Sequence, residues 1–150
     1  MRHALDACRR GIQAGQSPFG ACVVKDGTIL ATAHNRVWAT LDPTAHAEVN
    51  AIRATAAQLA TIDLGGTTIY STTEPCPMCF GAIHWARIPR IVFATRIDDA
   101  RAFGFNELAI ANQRLKELAA DAVEIVPDVL RELSLDHFRL WAARPQSRAY

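Results

Sequence analysis

The amino-acid sequence predicts an α/β protein, a three-layer α/β/α sandwich built on a mixed five-stranded sheet. Two observations carry this prediction: a β-hairpin signal, Asp26-Gly27, between two strand-like runs, and an alternation of helical and strand-like patterns after it. Hairpin strands are antiparallel, whereas strands separated by helices pair in parallel, so the sheet should be mixed. The 150 residues suit a single domain, residues 1–150, with a sizeable core.

The first half of the chain should contain two helices and three strands. Asp42 or Thr44 is the candidate cap of the second helix, because short polar side chains favour that position. The expected buried stripe of this helix consists of Val49, Ile52, Ala56 and Leu59. In order, the predicted elements are a helix carrying Leu5, Cys8 and Ile12, strands 19–24 and 28–33, a helix after residue 44, and a β-branched strand at 67–72.

The second half continues the alternation. A helix begins near the paired cysteines and should run to about Trp85. The last helical pattern covers residues 128–143, with Ser134 as the point where a break would fall. Between them the sequence predicts a strand at 90–94, a helix at 109–119 and a strand at 122–126.

Composition and charge limit the classes of function. A net charge near +1 gives no basic footprint, so neither nucleic acid nor a membrane surface is an expected partner. No apolar run approaches the roughly 20 residues of a membrane span, and the N-terminus has no apolar signal region. Cys8 and Cys22 are interpreted as buried thiols of a reducing compartment, so the expected location is the cytoplasm.

Two short motifs supply the chemistry: His46-Ala47-Glu48, and later Pro75-Cys76-Pro77-Met78-Cys79. One imidazole and two thiolates are good zinc ligands, which predicts one zinc ion per chain held by His46, Cys76 and Cys79. Three protein ligands leave a fourth position open for water, which separates catalytic from structural zinc sites. Glu48 is not needed as a ligand and is placed to carry protons.

A structural zinc module or a redox cysteine pair is the alternative interpretation of these motifs. A structural site needs a fourth ligand, and none of the remaining candidates pairs at ligand spacing with a second one. Those candidates are Cys8, Cys22, His3, His34, His84 and His137.

The two motifs in this order are the signature of zinc-dependent nucleobase deaminases, and the chain resembles the cytidine deaminase-like superfamily. It looks most like the bacterial guanine deaminase branch. The block from Asp42 to Glu48 is shared with tRNA adenosine deaminases and does not discriminate. The segments that favour the guanine branch are Pro18-Phe19-Gly20-Ala21, Glu74 to Arg87, Gly104-Phe105-Asn106-Glu107, and a C-terminal Tyr150 after Phe138-Arg139-Leu140-Trp141. Asn106 departs from that branch, which usually has an acid there.

The resemblance implies hydrolysis of guanine to xanthine and ammonia, with zinc-bound hydroxide attacking C2 while Glu48 shuttles protons. Glu107 would accept hydrogen bonds from the purine edge, and Tyr150 would close the pocket. The other implied substrate-binding groups are the side chain of Asn35, the rings of Phe19 and Trp85, and the backbone N–H of Ala47. The family also implies a homodimer, in which the C-terminal segment, about residues 128–150, can be exchanged between subunits.

Several of these residues also have ordinary structural interpretations. Asn35 suits a turn, Phe19 and Trp85 suit a core, Glu107 suits an exposed surface, and a terminal Tyr150 suits disorder. Three other functions remain open. They are deamination of guanosine or another aminated heterocycle, deamination of tRNA adenosine, and a binding protein that has kept the fold without the activity.

Overall fold

The computed structural model describes residues 1–150 and contains the predicted mixed sheet, with strand order β2-β1-β3-β4-β5. β1 pairs antiparallel with β2 and β3, whereas β3, β4 and β5 are parallel. The elements in chain order are α1 (Arg2–Gln13), β1 (Gly20–Lys25), β2 (Thr28–His34), α2 (Val37–Thr40), α3 (Ala47–Leu59), β3 (Thr68–Thr73), α4 (Pro77–Trp85), β4 (Arg90–Thr95), α5 (Ile97–Ala102), α6 (Asn112–Ala119), β5 (Glu124–Val126) and α7 (Arg131–Ala142).

The hairpin turn has the predicted chemistry. Asp26 and Gly27 both have positive φ, 48° and 77°, as a two-residue type I′ turn between β1 and β2 requires. Glycine adopts this conformation without strain, and aspartate is among the residues that tolerate it. The turn therefore fixes the antiparallel edge of the sheet.

Helices cover both faces of the sheet. α3 packs on β1 and β2, with α4 beside it. α1 and α7 pack against each other: α1 covers β1 and β2, and α7 covers β3 and β4. The core between these layers includes Ile69, Ile91, Phe93 and Phe138, none more than 2% exposed. The predicted fold class is confirmed. No helix has the length and apolar character needed to cross a membrane.

The start and the buried face of α3 differ from the prediction. Its N-cap is His46 in an extended conformation, whereas Asp42 uses its carboxylate to accept from the N–H and hydroxyl of Thr44 and forms the turn before the helix. The buried side chains are Ala47, Glu48, Ala51 and Thr55, not the larger apolar residues one position further along. Small side chains bring the helix close to the sheet. Relative to the prediction the helix is rotated about its axis, and this rotation turns Glu48 toward the sheet.

The C-terminal helix also corrects the prediction. α7 runs unbroken through Ser134, which is fully buried and donates its hydroxyl to the carbonyl oxygen of Thr72 at 2.6 Å. A serine in a helix is therefore explained by a tertiary contact with β3 rather than by a break. The short helices α2 and α5 were not predicted, since four and six residues are too few to show a period.

Candidate metal centre and active site

The helix N-termini of α3 and α4 bring the three predicted zinc ligands together. His46 and Cys76 are the N-cap residues of these helices, and Cys79 lies in the first turn of α4 behind Pro77 at its first position. The His46 Nδ1 atom is 3.7 Å from the Cys76 Sγ and 3.6 Å from the Cys79 Sγ. All three donor atoms lie within 4.8 Å of one another.

These separations fit a tetrahedral zinc ion. Bonds of about 2.05 Å to nitrogen and about 2.3 Å to sulfur, at tetrahedral angles, place nitrogen and sulfur about 3.6 Å apart. His46 and the two thiols therefore have both the chemistry and the spacing of a three-ligand zinc site. The first helical turns of α3 and α4 add the positive ends of their dipoles, which favour the thiolate form.

The two thiols share their protons unequally. A hydrogen bond from Cys79, opposed by burial and assisted by His46, lowers the pKa of Cys76 to about 4, so this thiol is ionised at neutral pH. The same hydrogen bond, with burial and the charge of Glu48, raises the pKa of Cys79 well above its usual range. Burial opposes protonation of His46, but its hydrogen bond to Cys76 and nearby negative charge leave its pKa raised. A divalent cation would have to displace these protons, so metal affinity should weaken in acid.

Glu48 lies on the buried face of α3, with 6% of its surface exposed. Its Oε1 accepts the hydroxyl of Ser71 at 3.0 Å, and its Oε2 accepts the Cys79 thiol at 3.5 Å. Burial raises the pKa of this carboxyl, which suits a group that must take up and release a proton near neutrality. Ser71 was missed by the sequence analysis. The sequence feature that could have identified Ser71 is its position two residues after Ile69, because residues i and i+2 of a strand lie on the same face and Ile69 is buried.

A cavity of about 230 Å³ lies beside the donor atoms. A smaller space of about 10 Å³, lined in part by Phe19 and Glu48, shares His46, Cys76 and Glu107 with it. The wall of the larger cavity consists of Pro43, His46, Cys76, Pro77, Met78, Asn106, Glu107, Leu108 and Tyr150. Phe19 is 8% exposed and packs edge-on against Phe105 with ring centroids 4.8 Å apart, so it serves the core and the smaller space together.

The C-terminal residue closes onto Asn35. Asn35 is fully buried, accepts from the N–H of Val37 at 3.1 Å, and donates its Nδ2 to the hydroxyl of Tyr150 at 2.5 Å. The Tyr150 ring lies 5.8 Å from the His46 ring, and its carbonyl oxygen accepts from the N–H of Asn106 at 3.0 Å. Burial raises the pKa of the Tyr150 hydroxyl, which therefore stays neutral. Two predicted site residues 115 positions apart are thus in direct contact.

Glu107 occupies the loop between α5 and α6 and lines the same spaces as His46 and Cys76, two of the predicted zinc ligands. Burial and the negative charge of Cys76 raise the pKa of its carboxyl to about 7, although the attraction of His46 opposes this rise. No protein hydrogen bond or ion pair engages this side chain. Ala47, the first residue of α3, is fully buried, and a helix leaves the N–H at this position without an intrahelical acceptor.

In this single chain Trp85 does not line the cavity, because its side chain is 81% exposed, and its part in substrate binding stays a prediction. It is the last residue of α4, whereas Cys76 and Cys79 lie at the other end of that helix. Trp85 lies eight positions after Pro77 in this helix, a rise of about 12 Å. Its ring lies edge-on to that of the neighbouring His84, with ring centroids 5.8 Å apart. An aromatic side chain at the far end of the helix does not reach the cavity of its own chain.

A metal ion with three protein ligands leaves one position for water, and a buried carboxylate beside it can accept a proton from that water. The fold and the site therefore define a metal-dependent hydrolase. Comparison with known proteins narrows this class. Residues 1–95 match the family described as "Cytidine and deoxycytidylate deaminase zinc-binding region", and the chain belongs to this family. It is an aminohydrolase of the type that includes the guanine deaminases.

Three relatives illustrate the range of similarity. Guanine deaminase of Bacillus subtilis is 36% identical over 151 residues, covering 100% of this chain and 96% of the relative. A solved guanine deaminase from Nitrosomonas europaea superposes with a TM-score of 0.88 at 31% identity, covering 95% of this chain and 82% of that one. The tRNA-specific adenosine deaminase of Bacillus subtilis is 33% identical over 132 residues, covering 88% of this chain and 80% of the relative.

Proposed function

We propose that this chain hydrolyses guanine to xanthine and ammonia. The observation that carries the proposal is the unpaired carboxylate of Glu107, which shares a cavity with the zinc-ligand atoms and Glu48. Guanine presents two donors on one edge, the ring N1–H and the 2-amino group, and C2 lies between them. An acceptor at this place therefore recognises the edge that reacts. Similarity to two guanine deaminases over nearly the whole chain supports the same substrate.

Each group of the site has a part in the proposed reaction. A zinc ion, one per chain on His46, Cys76 and Cys79, would supply water that is acidic enough to react at neutral pH. Glu48 takes a proton from that water and delivers it to ring N3, which makes C2 electrophilic. It then takes the proton of the hydroxyl that has added to C2 and delivers it to the 2-amino group, so that the C2–N bond breaks, the C2 carbonyl forms and ammonia leaves. Proton transfer by a positioned carboxylate typically contributes about 10²–10⁴-fold to the rate.

The remaining groups would hold the base. The Asn35 amide and the backbone N–H of Ala47 offer hydrogen bonds to ring nitrogens and the carbonyl oxygen, and Phe19 offers an apolar wall. In the present structure the Nδ2 of Asn35 is engaged by Tyr150. Substrate that takes this bond must displace the Tyr150 hydroxyl, which can then close over the bound base.

The size and charge of the site favour a free base over the alternatives. A cavity of about 230 Å³, smaller than the 300–1,000 Å³ typical of drug-sized ligands, suits a compact ligand such as a purine base. A tRNA substrate would call for a basic surface, and the net charge is only +1. Similarity to a tRNA-specific adenosine deaminase keeps that activity as the second candidate.

We also propose a homodimer. The exposed Trp85 on α4 is a large apolar side chain of the kind enriched in the centres of interfaces. In this single chain the C-terminal segment packs on its own sheet through α7, and Tyr150 closes onto its own Asn35. Exchange of this segment between subunits stays a prediction.

The experiment that tests the function measures ammonia release by the zinc-loaded protein from guanine, guanosine, adenine and cytosine. Glu48→Gln is the inactive reference, and Glu132→Gln, an exposed carboxylate on α7, is the matched control. We expect turnover of guanine alone, lost by at least about 100-fold in Glu48→Gln and unchanged in the control. Zinc-loaded protein that releases no ammonia from any of the four compounds would refute the proposal.

A further inference from the structure

Glu74 is a buried carboxylate with no part in the proposed reaction. It follows β3, is 7% exposed, and accepts the N–H of Asn112 at 2.8 Å and the N–H of Ile97 at 3.4 Å. These are the first residues of α6 and α5, whose N–H groups have no acceptor within their own helices. One side chain therefore holds the starts of both helices that flank the loop carrying Glu107.

Asn112 makes the return contact. Its Nδ2 donates to the carbonyl oxygen of Pro75 at 2.6 Å, while its Oδ1 is buried without a partner. A buried unpaired acceptor is costly, and alanine at this position would avoid it. The amide of Asn112 is therefore explained by what its Nδ2 holds in place rather than by its contribution to stability alone.

The two contacts run in opposite directions and form a bracket, which we define as Glu74, Pro75 and Asn112. Cys76 follows the bracket directly, and Glu107 lies five residues before Asn112 in the loop 103–111. The other side of this loop is held by the bond from Asn106 to the Tyr150 carbonyl. Glu74 also lines the smaller space of about 10 Å³, together with Glu48 and Glu107.

We propose that Glu74 and Asn112 are positioning residues that set the distance between the metal-ligating Cys76 and the substrate acceptor Glu107. This inference rests on the proposed function. With the bracket in place, a base bound to Glu107 presents its reacting carbon to the metal side of the cavity. A misplacement of about 1 Å in such a site can reduce the rate about 100-fold.

A double-mutant cycle on kcat/KM for guanine tests the bracket, with Asn112→Ala made in the wild type and in Glu107→Gln. If Asn112 acts through Glu107, we expect a loss of about 10- to 100-fold in the wild type and less than about threefold in Glu107→Gln, with zinc content unchanged. Gln113→Ala is the matched control, because its amide is exposed on the next position of α6 and bonds only to Glu117. Equal losses in both backgrounds, or no loss in either, would overturn the proposal.

A second measurement keeps the test independent of folding yield and of the substrate. Amide hydrogen exchange in the loop 103–111 should become at least about tenfold faster in Asn112→Ala and in the milder Glu74→Gln, but not in Gln113→Ala. Unchanged exchange in both bracket variants would overturn the proposal. If the wild type does not deaminate guanine, the proposed function fails, and exchange alone decides the bracket.

Discussion

Ser71→Ala removes the only hydroxyl that donates to Glu48. The Ser71 Oγ lies 3.0 Å from the Glu48 Oε1, and both residues are buried. A hydrogen bond to a charged group contributes about 1.5–3 kcal/mol. Because the bond is already present in the free protein, it acts on the rate by holding Glu48 in place, and a carboxylate displaced by about 1 Å should lower kcat/KM about 10- to 100-fold. Since the hydroxyl stabilises the ionised form, its loss also raises the pKa of Glu48 further.

The assay is steady-state ammonia release from guanine, with zinc content measured on the same samples. Ser71→Thr should retain most activity because it keeps a hydroxyl at the same carbon. Thr55→Ala is the matched control: this buried hydroxyl donates to the Ala51 carbonyl within α3, away from the cavity, so its loss should lower the melting temperature only. Ser71→Ala with more than about one third of the wild-type kcat/KM would refute the reasoning, since the worked loss is at least about tenfold.

Two further predictions concern the metal and the charge of the pocket. Cys79→Ser should weaken zinc binding at least about 100-fold and lower the melting temperature. Cys22→Ala, which removes a buried thiol away from the site, should keep zinc. Equal zinc contents in the two variants after dialysis would contradict this prediction. The folded pKa of Glu107, about 7, lies above its unfolded value of about 4.3, so its neutral form stabilises the protein fully below pH 4 and this contribution is lost as the pH rises through 7. In zinc-free protein, Glu107→Gln should therefore have a higher melting temperature than the wild type at pH 8 but not at pH 4.5. A difference in melting temperature that does not depend on pH would show that the pKa of Glu107 is not raised.

Local chemistry explains why the fold was predictable. The Asp26-Gly27 turn requires positive φ at two residues, and few other dipeptides tolerate this, so the hairpin and the pairing of Lys25 with Thr28 beside the turn follow from sequence. The rotation of α3 did not follow, because alternative apolar stripes one residue apart are equally periodic. Packing chose the stripe with Ala47 and Ala51, whose small side chains allow a close approach to the sheet.

The candidate site was predictable where its groups are close in sequence. His46 and Glu48 share one helix start, and Cys76 and Cys79 share another, so one contact between two helices assembles all four. The bond between Asn35 and Tyr150 spans 115 positions and has no signal in spacing; only the family resemblance pointed to either residue. Trp85 does not line the cavity of its own chain, because the rise of α4 separates it from the cysteines. The bracket residues were missed because their partners are backbone groups, which leave no trace in side-chain patterns.

Three glutamates around one small space show how their surroundings divide the work. Glu74 receives two backbone N–H groups and is held as part of the frame. Glu48 receives a hydroxyl and a thiol, both of which can reorient while a proton passes. Glu107 receives no donor from the protein, although burial raises its pKa. An unpaired, half-buried acceptor gains most from a ligand that brings its own donors, as guanine does at N1 and the 2-amino group. Adenine offers an acceptor at N1, which an ionised Glu107 cannot pair with, so discrimination against adenine should be strongest above the pKa of Glu107, about 7.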